Sequence, residues 1–214
     1  MKCAIFDLDG TLLDTIEDLA DSCNELLDKY NFDASWTIDD YKSFVGWGAA
    51  ELVKSTFNNT LTDEQLSEVL VDFKEIYNRH KQIKTKPYDG IKEQLDILKQ
   101  KGIKLCVVTN KPQFAAVDVV DYYFGKGFFD FVIGPDENTP IKPDPTTTKM
   151  ALEYCGCKPN EAIYFGDSDI DMITAHNADV EAVGVTWGFR SFEQLFQCNP
   201  SVIIDEPKYI SKLF

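Results

Sequence analysis

The sequence predicts an α/β fold in which a parallel sheet is covered by helices and a helical segment interrupts the sheet after its first strand. Two observations predict it. Short apolar runs that end in polar residues recur along the chain and alternate with stretches of helical periodicity. Between the first run and the second, about seventy residues show helical periodicity alone.

The first run, residues 2–7, reads as a buried strand leading into the loop Asp7-Leu-Asp-Gly-Thr11. In the segment that follows, Ile16, Leu19, Ala20, Cys23, Leu26, Leu27 and Tyr30 form one apolar stripe, and Leu66, Val69, Leu70, Phe73 and Tyr77 form another. Thr15 with Asp18, and Thr62 with Gln65, have the spacing of helix-opening boxes in which a hydroxyl and a side chain three residues later cap each other. Further on, Ile91, Leu95 and Leu98 mark a helix, and another opens at Pro112, where a proline suits the first turn. Strands are expected at 104–109, 130–134, 162–166, 180–186 and 201–205. This order makes a Rossmann-like core of residues 1–14 and 84–214, with 15–83 as a helical insertion.

The chain has 214 residues, 44% hydrophobic and 27% charged, an ordinary globular balance. Its 36 acidic and 21 basic side chains give a net charge of -15, which argues against nucleic acid or an anionic membrane as a partner. The same charge makes a demand on any phosphate site, which must gather positive potential from a metal, a few lysines and backbone amides. Six scattered cysteines and the lack of a secretory leader predict reduced thiols in the cytoplasm. Cys155-Gly-Cys157 has no second pair at zinc-ligand spacing and reads as small core residues. No apolar run reaches the roughly 18 residues that a membrane span needs.

Ligands of open parallel sheets bind where the strand C-termini gather, and four of these strands end in groups suited to phosphate and a hard cation. Asp7 and Asp9, two residues apart, point the same way if the strand continues, and like charges so close raise the pKa of one of them. Gly10 lets the chain turn and expose amides. Thr109 and Asn110, ahead of a helix, offer a hydroxyl and an amide to a phosphate oxygen. Lys142, beside Pro143 and Pro145 in a stiff segment, can neutralise Asp7 and a phosphate together. Asp167 and Asp171 lie one helical turn apart and, with Asp7 and a backbone carbonyl, can supply the oxygen ligands that magnesium prefers. Asp169 between them is expected to face solvent. Each motif alone also reads as a helix cap, a surface lysine or a decorated helix N-terminus; their common position at strand ends favours one shared site.

Asp7-Leu-Asp9-Gly10-Thr11, Thr109-Asn110, Lys142-Pro-Asp-Pro and Gly166-Asp167-Ser-Asp-Ile-Asp171 together resemble the four motifs of the haloacid dehalogenase superfamily, over nearly the whole chain. Within it, Thr109-Asn-Lys-Pro112, Gly184-Val-Thr-Trp-Gly188 and Val45-Gly-Trp-Gly48 resemble the phosphoglycolate phosphatase branch. The resemblance implies a magnesium-dependent phosphatase of small phosphorylated metabolites, with Asp7 as nucleophile and Asp9 as general acid and base. It implies a metal shell of Asp7, Asp9 through its carbonyl, Asp167 and Asp171, and phosphate held by Lys142, Thr109, Asn110 and Gly10. The insertion becomes a cap over the site, with Gly46, Trp47 and Gly48 at its mouth and Lys54 as a candidate for a substrate carboxylate. A phosphomutase, a pyrophosphatase or a nucleotidase fits the same core motifs, and the chain is expected to be a monomer or a homodimer. A receiver module lacks such an insertion, and a glycosyltransferase built on Asp-x-Asp has no use for Lys142.

Overall fold

The structure, a computed structural model, describes residues 1–136 and 138–214. The chain opens with β1 (Cys3–Phe6), a loop and the two-residue strand β2 (Leu13–Asp14). Four helices follow, α1 (Ile16–Lys29), α2 (Ile38–Phe44), α3 (Ala49–Thr56) and α4 (Asp63–His80), before β3 (Lys86–Pro87) pairs antiparallel with β2. From there helix and strand alternate: α5 (Ile91–Gln100), β4 (Lys104–Val108), α6 (Gln113–Phe124), β5 (Phe131–Ile133), α7 (Thr146–Cys155), β6 (Ala162–Gly166), α8 (Asp169–Asn177), β7 (Glu181–Val185), α9 (Phe192–Gln197) and β8 (Val202–Ile204).

Six strands form one parallel sheet in the order β5-β4-β1-β6-β7-β8. The strands are apolar on both faces because both are covered. Phe6, Leu105, Val107, Phe165 and Val183 point to one side, against α5 and α6. Ile5, Cys106, Val108 and Tyr164 point to the other, against α7 and α8, as the period of two requires. The inserted helices bury a core of their own from Leu19, Cys23, Leu26, Tyr41, Leu52, Val53, Val69, Phe73 and Ile76. At about 1.5–3 kcal/mol for each large apolar side chain buried, that core stabilises the insertion apart from the sheet.

Two local expectations met different outcomes. The Thr62–Gln65 box forms as its spacing predicts. Thr15 makes no capping bond, because the Asp18 carboxylate faces the returning chain and accepts the backbone N–H groups of Ile83, Lys84 and Thr85. Three charge-assisted bonds outweigh one reciprocal cap, and they tie the exit of the insertion to its entrance beside the β2–β3 pair. The fold also gathers cysteines that the sequence spacing keeps apart: the thiols of Cys3, Cys106 and Cys155 lie 3.8, 3.7 and 3.2 Å from one another. No helix among the described residues is long and apolar enough to cross a membrane.

Candidate active site

Parallel pairing decides what meets at the C-terminal edge. Phe6 is in register with Val107 of β4 and with Phe165 of β6, so the residues leaving these three strands emerge side by side. Asp7 follows β1, Thr109 follows β4 and Asp167 follows β6. Carboxylate oxygens of Asp7, Asp167 and Asp171 lie within 4.8 Å of one another, all three residues being buried. Lys142, from the segment between β5 and α7, is 2% exposed and places its Nζ 2.9 Å from Asp7 Oδ1 and 2.7 Å from Asp171 Oδ1.

The charges are out of balance in a way that calls for a cation. Burial first, then the Asp171 charge, push the Asp7 carboxyl up to about 7 despite Lys142. Burial, Asp171 and Asp7 push Asp167 up to about 8. Burial alone would lower Lys142, but Asp171 and Asp7 reverse this and hold it well above the ordinary lysine range. One lysine thus faces three buried carboxylates. Asp7 Oδ1, although close to the ammonium, receives no hydrogen bond of good geometry. Buried oxygens left over in a cluster of like charge fit a hard divalent cation, for which carboxylates are the preferred ligands.

The Asp171 oxygens have other work as well. Oδ1 binds Lys142, and Oδ2 accepts the Ser168 hydroxyl and N–H, completing a capping box at the start of α8. Asp167 is held by the Thr11 hydroxyl at 2.7 Å and the Phe189 N–H at 2.9 Å. Asp169, expected to face solvent, is half-exposed and ion-paired to Arg190.

Gly10 was expected to offer its amide to phosphate, but its N–H donates to the Leu13 carbonyl within the turn. What demands glycine here is the close passage over Asp167: φ is +88°, and a Cβ would lie 2.3 Å from the carboxylate. Asn110 is corrected in its side chain only, its main-chain N–H having no acceptor among the described residues. Its amide N–H groups donate to the Gly46 and Lys142 carbonyls and its Oδ1 accepts the Lys142 N–H, so the side chain braces two loops and has no donor left for phosphate. Thr109 accepts the Lys111 N–H, which leaves its hydroxyl proton free for an oxygen in the cavity it lines.

Lys111 is the residue that sequence reasoning passed over. Its ammonium binds both Asp9 oxygens, at 2.8 and 2.9 Å, and sits 4.8 Å from the centre of the Tyr77 ring. Burial opposes the charge, but Asp9 and Tyr77 outweigh it and raise the lysine above its usual range. The signal was position: Lys111 directly follows Thr109-Asn110 at the same strand end. In the sequence Tyr77 reads only as part of an apolar stripe; burial pushes its hydroxyl up to about 12.

The inserted helices close over this edge. Gly46, Trp47 and Gly48, between α2 and α3, line a cavity of about 410 Å³ whose floor includes Asp7, Asp9, Thr109, Lys111 and Asp167. Trp47 is 42% exposed, at the rim rather than an anchor in the core. Lys54, expected as a partner for a substrate carboxylate, is not on this wall, because the face of α3 turned to the cavity is that of Ala49, Ala50 and Leu52. Arg190, between β7 and α9, donates to the Lys42 and Val45 carbonyls at the C-terminal end of α2, where a helix has unpaired acceptors and negative potential.

The chain matches the family model described as haloacid dehalogenase-like hydrolase over residues 4–185. A phosphoglycolate phosphatase of Agrobacterium fabrum is 35% identical, over 95% of this chain and 88% of its own length. The phosphoglycolate phosphatase of Aquifex aeolicus is 30% identical, over 100% of this chain and 96% of its own. A crystal structure of a predicted phosphoglycolate phosphatase from Haemophilus somnus superimposes with a TM-score of 0.92 at 28% identity, covering 100% of this chain and 97% of that one. The chain therefore belongs to the haloacid dehalogenase-like hydrolase family, as a hydrolase of the phosphatase kind.

Proposed function

We propose that this protein is a magnesium-dependent phosphatase that hydrolyses the phosphate monoester of a small metabolite through an aspartyl phosphate on Asp7, with residues 15–83 as the cap over the site. The observation on which this rests is the buried Asp7 Oδ1, ion-paired to Lys142 but without a hydrogen bond of good geometry, beside Asp167 at the floor of the cavity. The printed names of the full-length relatives make phosphoglycolate the reference substrate.

Asp7, Asp167 and the Asp9 main-chain carbonyl would hold magnesium, with Asp171 as an outer partner. When bound, the ion offsets the carboxylate charge and that of the phosphoryl oxygens. The chain's own residues do the rest. Lys142 and the Thr109 hydroxyl orient the phosphoryl oxygens. An Asp7 oxygen forms a bond to phosphorus while the bond to the ester oxygen breaks, and the leaving oxygen takes the proton of Asp9. In the second half Asp9 takes a proton from water as the water oxygen bonds to phosphorus. The Asp7–phosphorus bond then breaks, releasing inorganic phosphate. Lys111 keeps Asp9 in place for both steps, and the cap excludes bulk water from the first. The six free cysteines suit the cytoplasm, where thiols stay reduced.

Phosphate release from a panel of phosphoglycolate, pyrophosphate, nucleotides and sugar phosphates, with magnesium or with a chelator, tests the reading. Release from monoesters in magnesium, without a bisphosphate activator, is expected, and the chelator should remove it as fully as loss of a ligand side chain does. Turnover indifferent to the chelator would overturn the metal-dependent mechanism.

A further inference from the structure

We infer that the alcohol half of the substrate is bulky and mainly apolar, an aromatic ring or branched hydrocarbon on a primary alcohol, rather than a small hydroxy acid. This inference rests on the phosphatase reading and narrows its substrate class.

Size is the first argument. The cavity above Asp7 measures about 410 Å³, within the roughly 300–1,000 Å³ of pockets that enclose ligands of many atoms. A two-carbon hydroxy acid would leave most of it to water, which a covalent phosphoenzyme has reason to exclude during its first step.

The walls give the second argument. Leu19, Leu52, Leu70 and Phe73 come from the inserted helices, Phe114 and Phe189 from the core. Of the cap side chains on the wall, only Trp47, Lys74 and Tyr77 carry a polar atom. The buried Tyr77 hydroxyl lies beside the Lys111 ammonium but makes no hydrogen bond of good geometry, which leaves it able to meet a single ether or hydroxyl on an otherwise apolar group.

The third argument is charge. On the floor, Lys111 is bound to Asp9 by two hydrogen bonds, and Lys142 to Asp7 and Asp171. Arg190 is bound to main-chain carbonyls and Asp169. With Asp9 carrying the proton that it gives to the leaving oxygen, two lysines and one divalent cation would exceed Asp7, Asp167 and Asp171 by a single charge, which a phosphate dianion more than offsets. On the floor, a carboxylate two carbons from phosphorus would meet no lysine free of a carboxylate partner, and desolvating it there is costly. Lys74, the other cation on the wall, lies over the Phe114 ring, 4.4 Å from its centre, on an exposed part of α4.

The test measures kcat/KM in magnesium for ethyl, butyl and benzyl phosphate and for phosphoglycolate. The three alcohols are of similar acidity, so the bond-breaking step is held nearly constant while the apolar group grows. One methylene in an apolar pocket is worth about 10-fold or more. We expect benzyl phosphate to exceed ethyl phosphate by at least that factor, with phosphoglycolate below butyl phosphate. Leu70→Lys, at a half-buried cap position, should cut the benzyl-to-ethyl ratio by about 10-fold, and a thermal melt confirms that the variant is folded. An enzyme that releases phosphate but treats the esters alike, or prefers phosphoglycolate, keeps the phosphatase reading and overturns the substrate class. Inertness toward these four esters with release from the nucleotides or sugar phosphates of the wider panel would overturn the substrate class alone, and inertness toward the whole panel in magnesium would overturn the phosphatase reading with it.

Discussion

Asp7→Asn will lose about four orders of magnitude or more in kcat, the scale on which removal of an essential nucleophile acts, and in the absence of metal the variant will be more stable than the parent at pH 8. The two effects share one cause. The Asp7 carboxyl stands at about 7 in the folded protein against an ordinary value of 3.8. Between these values the folded state holds a proton that the unfolded chain has released, so this group's contribution to stability falls as pH rises from about 4 and its full penalty is present above about 7. An amide removes the penalty. The gain in melting temperature should therefore be larger at pH 8 than at pH 5, and magnesium should narrow it by stabilising the parent. Steady-state kinetics, with melts at both pH values in chelator, check both halves. Appreciable residual turnover would speak against Asp7 as nucleophile.

Lys142→Met has the second large effect, on stability and activity together. The lysine is the only side-chain cation within bonding distance of Asp7 and Asp171 among the described residues. Methionine fills its volume but leaves two buried carboxylates without their partner, a change that costs about 3–5 kcal/mol in comparable buried pairs. Denaturant unfolding should register that loss in the midpoint. Turnover should fall with it, and magnesium should restore part of the stability but not the rate, because the ion supplies charge without the ammonium that orients the phosphoryl group. A variant with normal stability and normal kcat would mean that the ion pair is incidental.

Most of the sheet was legible because buried parallel strands are continuous apolar runs, and each of the six was expected within a residue or two of its place. Asp7, Thr109 and Asp167 were legible for the same reason, since a polar group at the end of such a run has nowhere to go but the C-terminal edge, and Lys142 was legible from the prolines that stiffen its segment after β5. What stayed hidden depends on contacts between distant stretches. Asp18 looks like half of a capping box until the chain returns beside it with three free N–H groups. The Asn110 side chain looks like a phosphate ligand until the Gly46 and Lys142 loops arrive to consume its side-chain amide. Lys111 reads as one more polar residue at a loop until Asp9, 102 positions away in sequence, lies under its ammonium. Nor does local pattern show that the wall above the carboxylates is apolar, since Phe114 and Phe73 read equally well as core.

The claim at the centre is that phosphorus passes to Asp7. Mixing the enzyme with magnesium and a good monoester, quenching in acid within one turnover and mapping the peptides by mass spectrometry tests it most directly. A phosphoryl group on the peptide from the N-terminal strand, localised to Asp7, labile to hydroxylamine and absent from Asp7→Asn, is the predicted result. Phosphate formed at full rate with no covalent adduct, or an adduct on another residue, would contradict it.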